Sequence, residues 1–141
     1  MYEFHARRRI EFSDTDMAGV VHFARFFIFM ETAEHQMLTG LGVRPGSYRD
    51  ASGRSFAWPR VTATCDYLAP ARYGDELDIR VTVERLGRSS LTYGFDLSCG
   101  PVRVAQGRIT AVCCALEEGG VMTPVPLPEA LVERLGQPLV G

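Results

Sequence analysis

The stretch Phe23-Ala24-Arg25-Phe26-Phe27-Ile28-Phe29-Met30-Glu31-Thr32-Ala33-Glu34-His35-Gln36-Met37-Leu38 decides the fold. Phe23, Phe26, Phe27, Met30, Ala33 and Met37 recur at helical spacing, and Gly40 and Gly42 follow as stop signals. Ile28 and Phe29 make the segment apolar nearly all round. A helix without a polar side buries most of its surface. The segment therefore predicts one long helix seated deep against another layer.

The other layer is legible on both sides of it. Upstream, Tyr2, Phe4, Ala6, Arg8, Ile10 and Phe12 alternate with His5, Arg7, Arg9 and Glu11, which is the period of a strand. Downstream, residues 43–55 read as a loop rich in Gly, Pro and Ser. Alternating runs follow at Val61–Tyr67, Leu77–Val83, Leu91–Leu97 and, as one long strand, Val102–Leu116. The turns at Gly74-Asp75, Leu86-Gly87-Arg88 and Gly100-Pro101 are short enough for antiparallel neighbours. A curved antiparallel sheet of about five to six strands, wrapped around the helix in an α+β fold, satisfies the pattern. Residues 1–141 read as one domain, with a Gly- and Pro-rich tail at 117–141 and one helical turn near Pro128 to Leu135.

Composition removes several chemistries. All fifteen basic residues among the 141 are Arg, and Asn is absent too. A Schiff base on Lys, a P-loop and a Cys-His-Asn triad are thereby excluded. A net charge of −2 argues against general nucleic-acid binding. The most apolar run, Phe26–Met30, is too short to span a bilayer, and the start of the chain lacks a signal-peptide pattern. Cys65, Cys99, Cys113 and Cys114 form no C-x-x-C pair and read as reduced, small apolar residues of a cytoplasmic protein. No G-x-S-x-G, H-E-x-x-H or G-x-G-x-x-G is present. Glu31, Glu34 and His35 lack the Glu-x-x-His spacing of a di-iron helix, and an i,i+4 Glu31–His35 pair is expected instead. No metal and no cofactor is expected.

The remaining candidate is the junction Glu11-Phe-Ser-Asp14-Thr-Asp16-Met-Ala-Gly19-Val-Val-His22-Phe23. Asp14 and Asp16 could be turn and cap residues and nothing more. But one cap would need one acid, and the helix that follows is a buried one. Its free N–H groups and positive dipole end then face an enclosed place, where they can polarise a carbonyl oxygen or hold developing negative charge. A carboxylate beside them can act as nucleophile or general base, and Gly19 would let a ligand approach the backbone. Residue chemistry thus points to acyl transfer without naming the substrate.

Asp14-Thr15-Asp16-Met17-Ala18-Gly19-Val20-Val21-His22-Phe23-Ala24, followed by Glu31, resembles the signature of the 4-hydroxybenzoyl-CoA thioesterase family, which are hot-dog-fold acyl-CoA thioesterases. Trp58-Pro59-Arg60-Val61 with Asp66-Tyr67-Leu68-Ala69-Pro70-Ala71-Arg72-Tyr73-Gly74-Asp75-Glu76-Leu77 is similar to that family's second strand and its Tyr-x-x-Pro-x-x-x-Gly-Asp turn. Gly87-Arg88-Ser89-Ser90-Leu91 adds a weaker match. The resemblance implies hydrolysis of a small aromatic or short- to medium-chain acyl-CoA. It implies Asp16 as the catalytic carboxylate, the Phe23 backbone N–H as the carbonyl donor, and Asp14 as structural. Gly19, Glu31, Trp58 and Pro59 would contact the acyl group, and Arg88, Ser89 and Ser90 would hold CoA. It also implies a homodimer or homotetramer with sites between subunits. Many relatives carry Tyr or Trp where this chain has His22, which could be a pocket wall, a donor or a proton shuttle. Two other expectations stay open: an enoyl-thioester hydratase, against which the Asp-x5-His spacing counts, and a non-catalytic acyl-CoA-binding protein on the same fold. Arg is the only cation available for CoA phosphates, with Arg88 first and Arg85, Arg54 and Arg60 behind it.

Overall fold

Strand β1 (Glu3–Arg9) precedes the long helix α1 (Arg25–Gly40). After it come β2 (Phe56–Ala57), β3 (Arg60–Tyr67), β4 (Glu76–Leu86), β5 (Ser90–Cys99), β6 (Val102–Val112), β7 (Cys114–Leu116), β8 (Met122–Pro124) and α2 (Glu129–Gly136). The computed structural model describes residues 2–43 and 53–136, so most of the expected 43–55 loop lies outside the described residues. Five strands form one antiparallel sheet in the order β1-β4-β5-β6-β3, and α1 lies across it. This is the hot-dog arrangement of the sequence-based expectation.

Alternation explains the sheet. Leu77, Ile79, Val81 and Val83 of β4, with Leu91, Tyr93, Phe95 and Leu97 of β5, turn inward and are buried. Asp78, Arg80 and Glu84 turn outward into ion pairs with His5, Asp96 and Arg108. Phe26, Phe29, Met30, Ala33, Met37 and Leu38 fill the concave face from α1. Burying a side chain such as Phe29 contributes roughly 1.5–3 kcal/mol. The helix lies close because β6 carries Gly107, where a Cβ would collide with the Met30 thioether.

Several expectations are corrected. The helix begins at Arg25, so Phe23 lies before it and is 64% exposed. Nor is α1 buried on nearly all sides: Ile28 is 42% exposed, because one sheet covers one stripe of a helix and the opposite stripe has no layer over it in a single chain. Phe12 leaves the strand pattern in a 3-10 turn, Phe12–Asp14, and is 80% exposed. The long last strand is two: β6 pairs with β5 and β3, then the chain breaks at Cys113 and β7 joins a small second sheet, β2-β7-β8, that periodicity did not reveal. The helical turn near Pro128 is the helix α2, which buries Leu131 and Leu135. All four cysteines are free, and burial pushes the Cys113 thiol up to about 11.

Candidate active site

The loop between β1 and α1 is organised by Asp14, which is fully buried. Its carboxylate accepts from Arg8 at 3.1 and 3.3 Å, from Arg25 at 3.0 and 2.7 Å, and from the Glu11 N–H at 2.9 Å. Its carbonyl accepts the His22 N–H at 2.9 Å. Burial pushes its pKa up, but the Glu11 N–H and the two guanidinium groups outweigh that and hold it below the ordinary value. Asp14 thus ties the end of β1 to the first turn of α1.

Asp16 is placed differently. It is exposed, and one carboxylate oxygen accepts the Ala18 N–H at 2.8 Å in an Asx turn. The turn closes through Gly19 N–H to the Asp16 carbonyl and Asp16 N–H to the Val20 carbonyl. Gly19 has φ +79°, a conformation that L side chains rarely adopt, and open space beside its Cα. Asp16 borders a cleft of about 410 Å³ with Val20, Val21, Phe23 and Phe26 on one wall and Tyr67, Leu68, Ala69, Pro70 and Ala71 on the other. That volume lies within the range of small-molecule sites.

Phe23 lines this cleft, and its amide is uncommitted among the hydrogen bonds of the described residues. The turn bonds around it are His22 N–H to the Asp14 carbonyl, Ala24 N–H to His22 Nδ1 at 3.2 Å, and Arg25 N–H to the His22 carbonyl. None uses the Phe23 N–H. Together with the adjacent N-terminal end of α1 it forms an electropositive spot beside a carboxylate. His22 itself is exposed, stacks on the Phe23 ring at 4.7 Å and caps Ala24, and it is not among the residues that line the cleft. The expected enclosure of this helix end is absent within one chain, since Met17 and Phe23 stand open.

The remaining sequence-derived candidates lie elsewhere. The Pro59 carbonyl accepts the Val112 N–H and the Ser89 carbonyl accepts the Cys113 N–H, so Trp58, Pro59, Ser89 and Ser90 gather at one end of the sheet. Trp58 there packs over a small pocket of about 140 Å³ with Leu41, Val43 and Leu131. Asp16 and Phe23 sit at the other end, beside Tyr67. The seven steps of β3 that separate Arg60 from Tyr67 measure roughly 23 Å. Within one chain the two groups do not meet. Glu31 lies on α1, exposed, with its carboxylate 3.8 Å from Arg60. His35 lies 3.8 Å from Glu34, in place of the expected partner Glu31. Arg88 and Arg85 are exposed. Among the described residues no group of three or more His, Cys, Asp or Glu could hold a metal ion.

Periodicity passed over Glu34, which is buried on the inner stripe of α1. Arg60 donates to both its oxygens, one contact being 2.8 Å, and the buried Tyr93 phenol is raised in pKa by burial and by the Glu34 charge. Its signal was present: Glu34 follows Met30 by four residues on the apolar stripe.

A curved antiparallel sheet around one helix, with an acidic turn and a free amide at that helix's leading end, defines a hot-dog protein built for acyl-thioester chemistry. The chain belongs to the thioesterase-like superfamily, whose family model matches residues 10–135. It is 33% identical over 135 residues to a 1,4-dihydroxy-2-naphthoyl-CoA hydrolase of Synechococcus elongatus, covering 96% of each chain. Among solved structures it is similar to a 1,4-dihydroxy-2-naphthoyl-CoA thioesterase from Synechocystis, with a TM-score of 0.81, 26% identity and coverage of 97% of this chain and 100% of that one. It is also similar to a gentisyl-coenzyme A thioesterase, with a TM-score of 0.79, 25% identity and coverage of 95% and 100%.

Proposed function

We propose that this protein hydrolyses the thioester of a hydroxylated aromatic acyl-CoA, releasing the free acid and CoA. The observation that carries the reading is the uncommitted N–H of Phe23, a residue that lines the cleft Asp16 borders. The thioester carbonyl accepts that N–H, and the bond strengthens as charge develops on the oxygen. Asp16, anchored by only one oxygen, attacks the acyl carbon or takes a proton from a water that does. The C–S bond breaks, the acyl carbon gains hydroxyl, and the thiolate gains the proton. A thiolate leaves readily, so no cofactor and no metal is needed.

The aromatic acyl group is supported by the 1,4-dihydroxy-2-naphthoyl-CoA hydrolase of Synechococcus elongatus, by the gentisyl-coenzyme A thioesterase, and by the sequence resemblance to 4-hydroxybenzoyl-CoA thioesterases. We assign the shared site to a homodimer. Strand β3 is an edge of the sheet, and Val61 to Thr64 are exposed along it. A second copy paired antiparallel along that edge brings the Tyr67 end of one chain beside the Arg60 end of the other. It thereby joins Asp16 and Phe23 to Glu31, Trp58, Pro59, Arg88, Ser89 and Ser90 of a second copy. The same pairing removes an open strand edge, which otherwise invites aggregation. Tetramers of such dimers fit equally well. Four free thiols suit a cytoplasmic setting, and no helix among the described residues is long and apolar enough to cross a membrane.

A panel of 1,4-dihydroxy-2-naphthoyl-, 4-hydroxybenzoyl-, benzoyl-, hexanoyl- and crotonyl-CoA with thiol release as readout tests this. The hydroxylated aroyl esters should show the highest kcat/KM. Loss of the crotonyl enoyl band without free thiol would make the protein a hydratase, and binding without turnover on any ester would make it a non-catalytic binder.

A further inference from the structure

The Tyr67 hydroxyl donates to the Phe23 carbonyl at 3.0 Å. The partners belong to different parts of the fold: Tyr67 ends the edge strand β3, and Phe23 precedes α1. Phe23 lies outside the helix, and none of the turn bonds that hold Asp16 to Arg25 uses its N–H or its carbonyl. Its neighbours are anchored: His22 to Asp14, and Ala24 to His22. The peptide plane that carries the Phe23 N–H also carries the His22 carbonyl, which accepts the Arg25 N–H, and the next plane, with the Phe23 carbonyl, is held by this phenol. The Tyr67 ring is held in turn, edge to face with Phe26 at 5.4 Å, and both residues line the Asp16 cleft.

We propose that Tyr67 is a positioning residue for catalysis: by holding the Phe23 carbonyl it aims the Phe23 N–H at the substrate oxygen. The proposal rests on the thioesterase reading above and adds a residue to it. A donor works only where it is aimed beforehand at the place where charge will develop, because re-aiming it during the reaction costs activation energy. Without the phenol the carbonyl side of Phe23 is untethered, and the short turn, with the N–H it carries, can rock away from that aim. Tyr67 never touches the reacting atoms in this arrangement, so its effect is on the transition state more than on ground-state binding.

The test is Tyr67→Phe, which removes the hydroxyl and keeps the ring against Phe26. With 1,4-dihydroxy-2-naphthoyl-CoA and benzoyl-CoA, kcat should fall about tenfold while KM stays within about twofold. The thermal midpoint should stay close to that of the parent. Tyr67→Leu, which also loses the ring contact, should lower the midpoint and leave kcat no higher than in Tyr67→Phe. A second readout is independent of turnover. The amide nitrogen of Ala24 shares a peptide group with the Phe23 carbonyl, so its NMR resonance should shift in Tyr67→Phe as that carbonyl loses its partner. An active parent with unchanged kcat in Tyr67→Phe, or an unmoved Ala24 resonance, overturns the role of Tyr67 and leaves the hydrolase reading standing. A parent that releases thiol from no ester overturns both.

Discussion

Glu34 of α1 and Arg60 of β3 form a two-pronged ion pair beneath the helix, with the Glu34 side chain 2% exposed and that of Arg60 28% exposed. Removing one partner of such a buried pair strands the other, at about 3–5 kcal/mol, whereas replacing both with apolar residues can be neutral. Glu34→Gln should therefore lower stability by that order, read as the midpoint of urea unfolding. The double variant Glu34→Met with Arg60→Leu should be less destabilised than the single one. A single variant within about 1 kcal/mol of the parent would contradict the pair's structural weight.

Asp14 predicts a pH dependence of stability. Its folded pKa lies below the ordinary value of 3.8, because the Glu11 N–H, Arg25 and Arg8 outweigh the effect of burial. Its contribution is fully present above that ordinary value and is lost as pH falls through the lower folded value. Thermal midpoints measured from pH 6 to pH 2 should drop more steeply in the parent than in Asp14→Asn. Parallel slopes would show that Asp14 is not what the acid limb reports.

Asp16→Asn keeps an oxygen for the Ala18 N–H, so the turn should survive. Thiol release should fall by roughly 10²–10⁴-fold, the scale of a lost general base. Circular dichroism and CoA binding should stay near those of the parent. Normal hydrolysis by this variant would remove Asp16 from the mechanism.

Arg88 is exposed at the sheet end opposite Asp16. In the proposed dimer it meets the CoA phosphates of the other chain's site. Arg88→Ala should raise KM for CoA esters several-fold, about 1 kcal/mol of a charge-assisted contact, with kcat little changed. Arg60 is a poorer candidate than its position suggested, since Glu34 already occupies its guanidinium. An unchanged KM in Arg88→Ala would move the phosphate site elsewhere.

The order of elements was legible in the chain because each carries its own period. The alternation in Leu77–Val83 and Leu91–Leu97 marks strands buried on one face, and the 3.6-residue rhythm of Phe26, Met30, Ala33 and Met37 marks the helix between the layers. Asp16 and Phe23 were legible as candidates too, since a short motif before a helix is a local feature. Periodicity says nothing about how far a helix is covered, which left the exposure of Ile28 and the break at Cys113 to the fold.

By itself the sequence determined a one-helix, curved-sheet architecture, an all-Arg cationic surface and an acidic turn at the helix's leading end. Only the tertiary structure decided how differently two similar carboxylates are held. Asp14 is buried against Arg8, Arg25 and the Glu11 amide, while Asp16 is exposed at the cleft and bonded through one oxygen to the Ala18 N–H. It also decided that Tyr67 holds the Phe23 carbonyl and that Trp58 and Ser89 lie at the far end of the sheet. The physical reason is range. Propensity and periodicity act between residues a few positions apart, but Tyr67 reaches Phe23 across forty-four positions, through a sheet whose register no local pattern encodes.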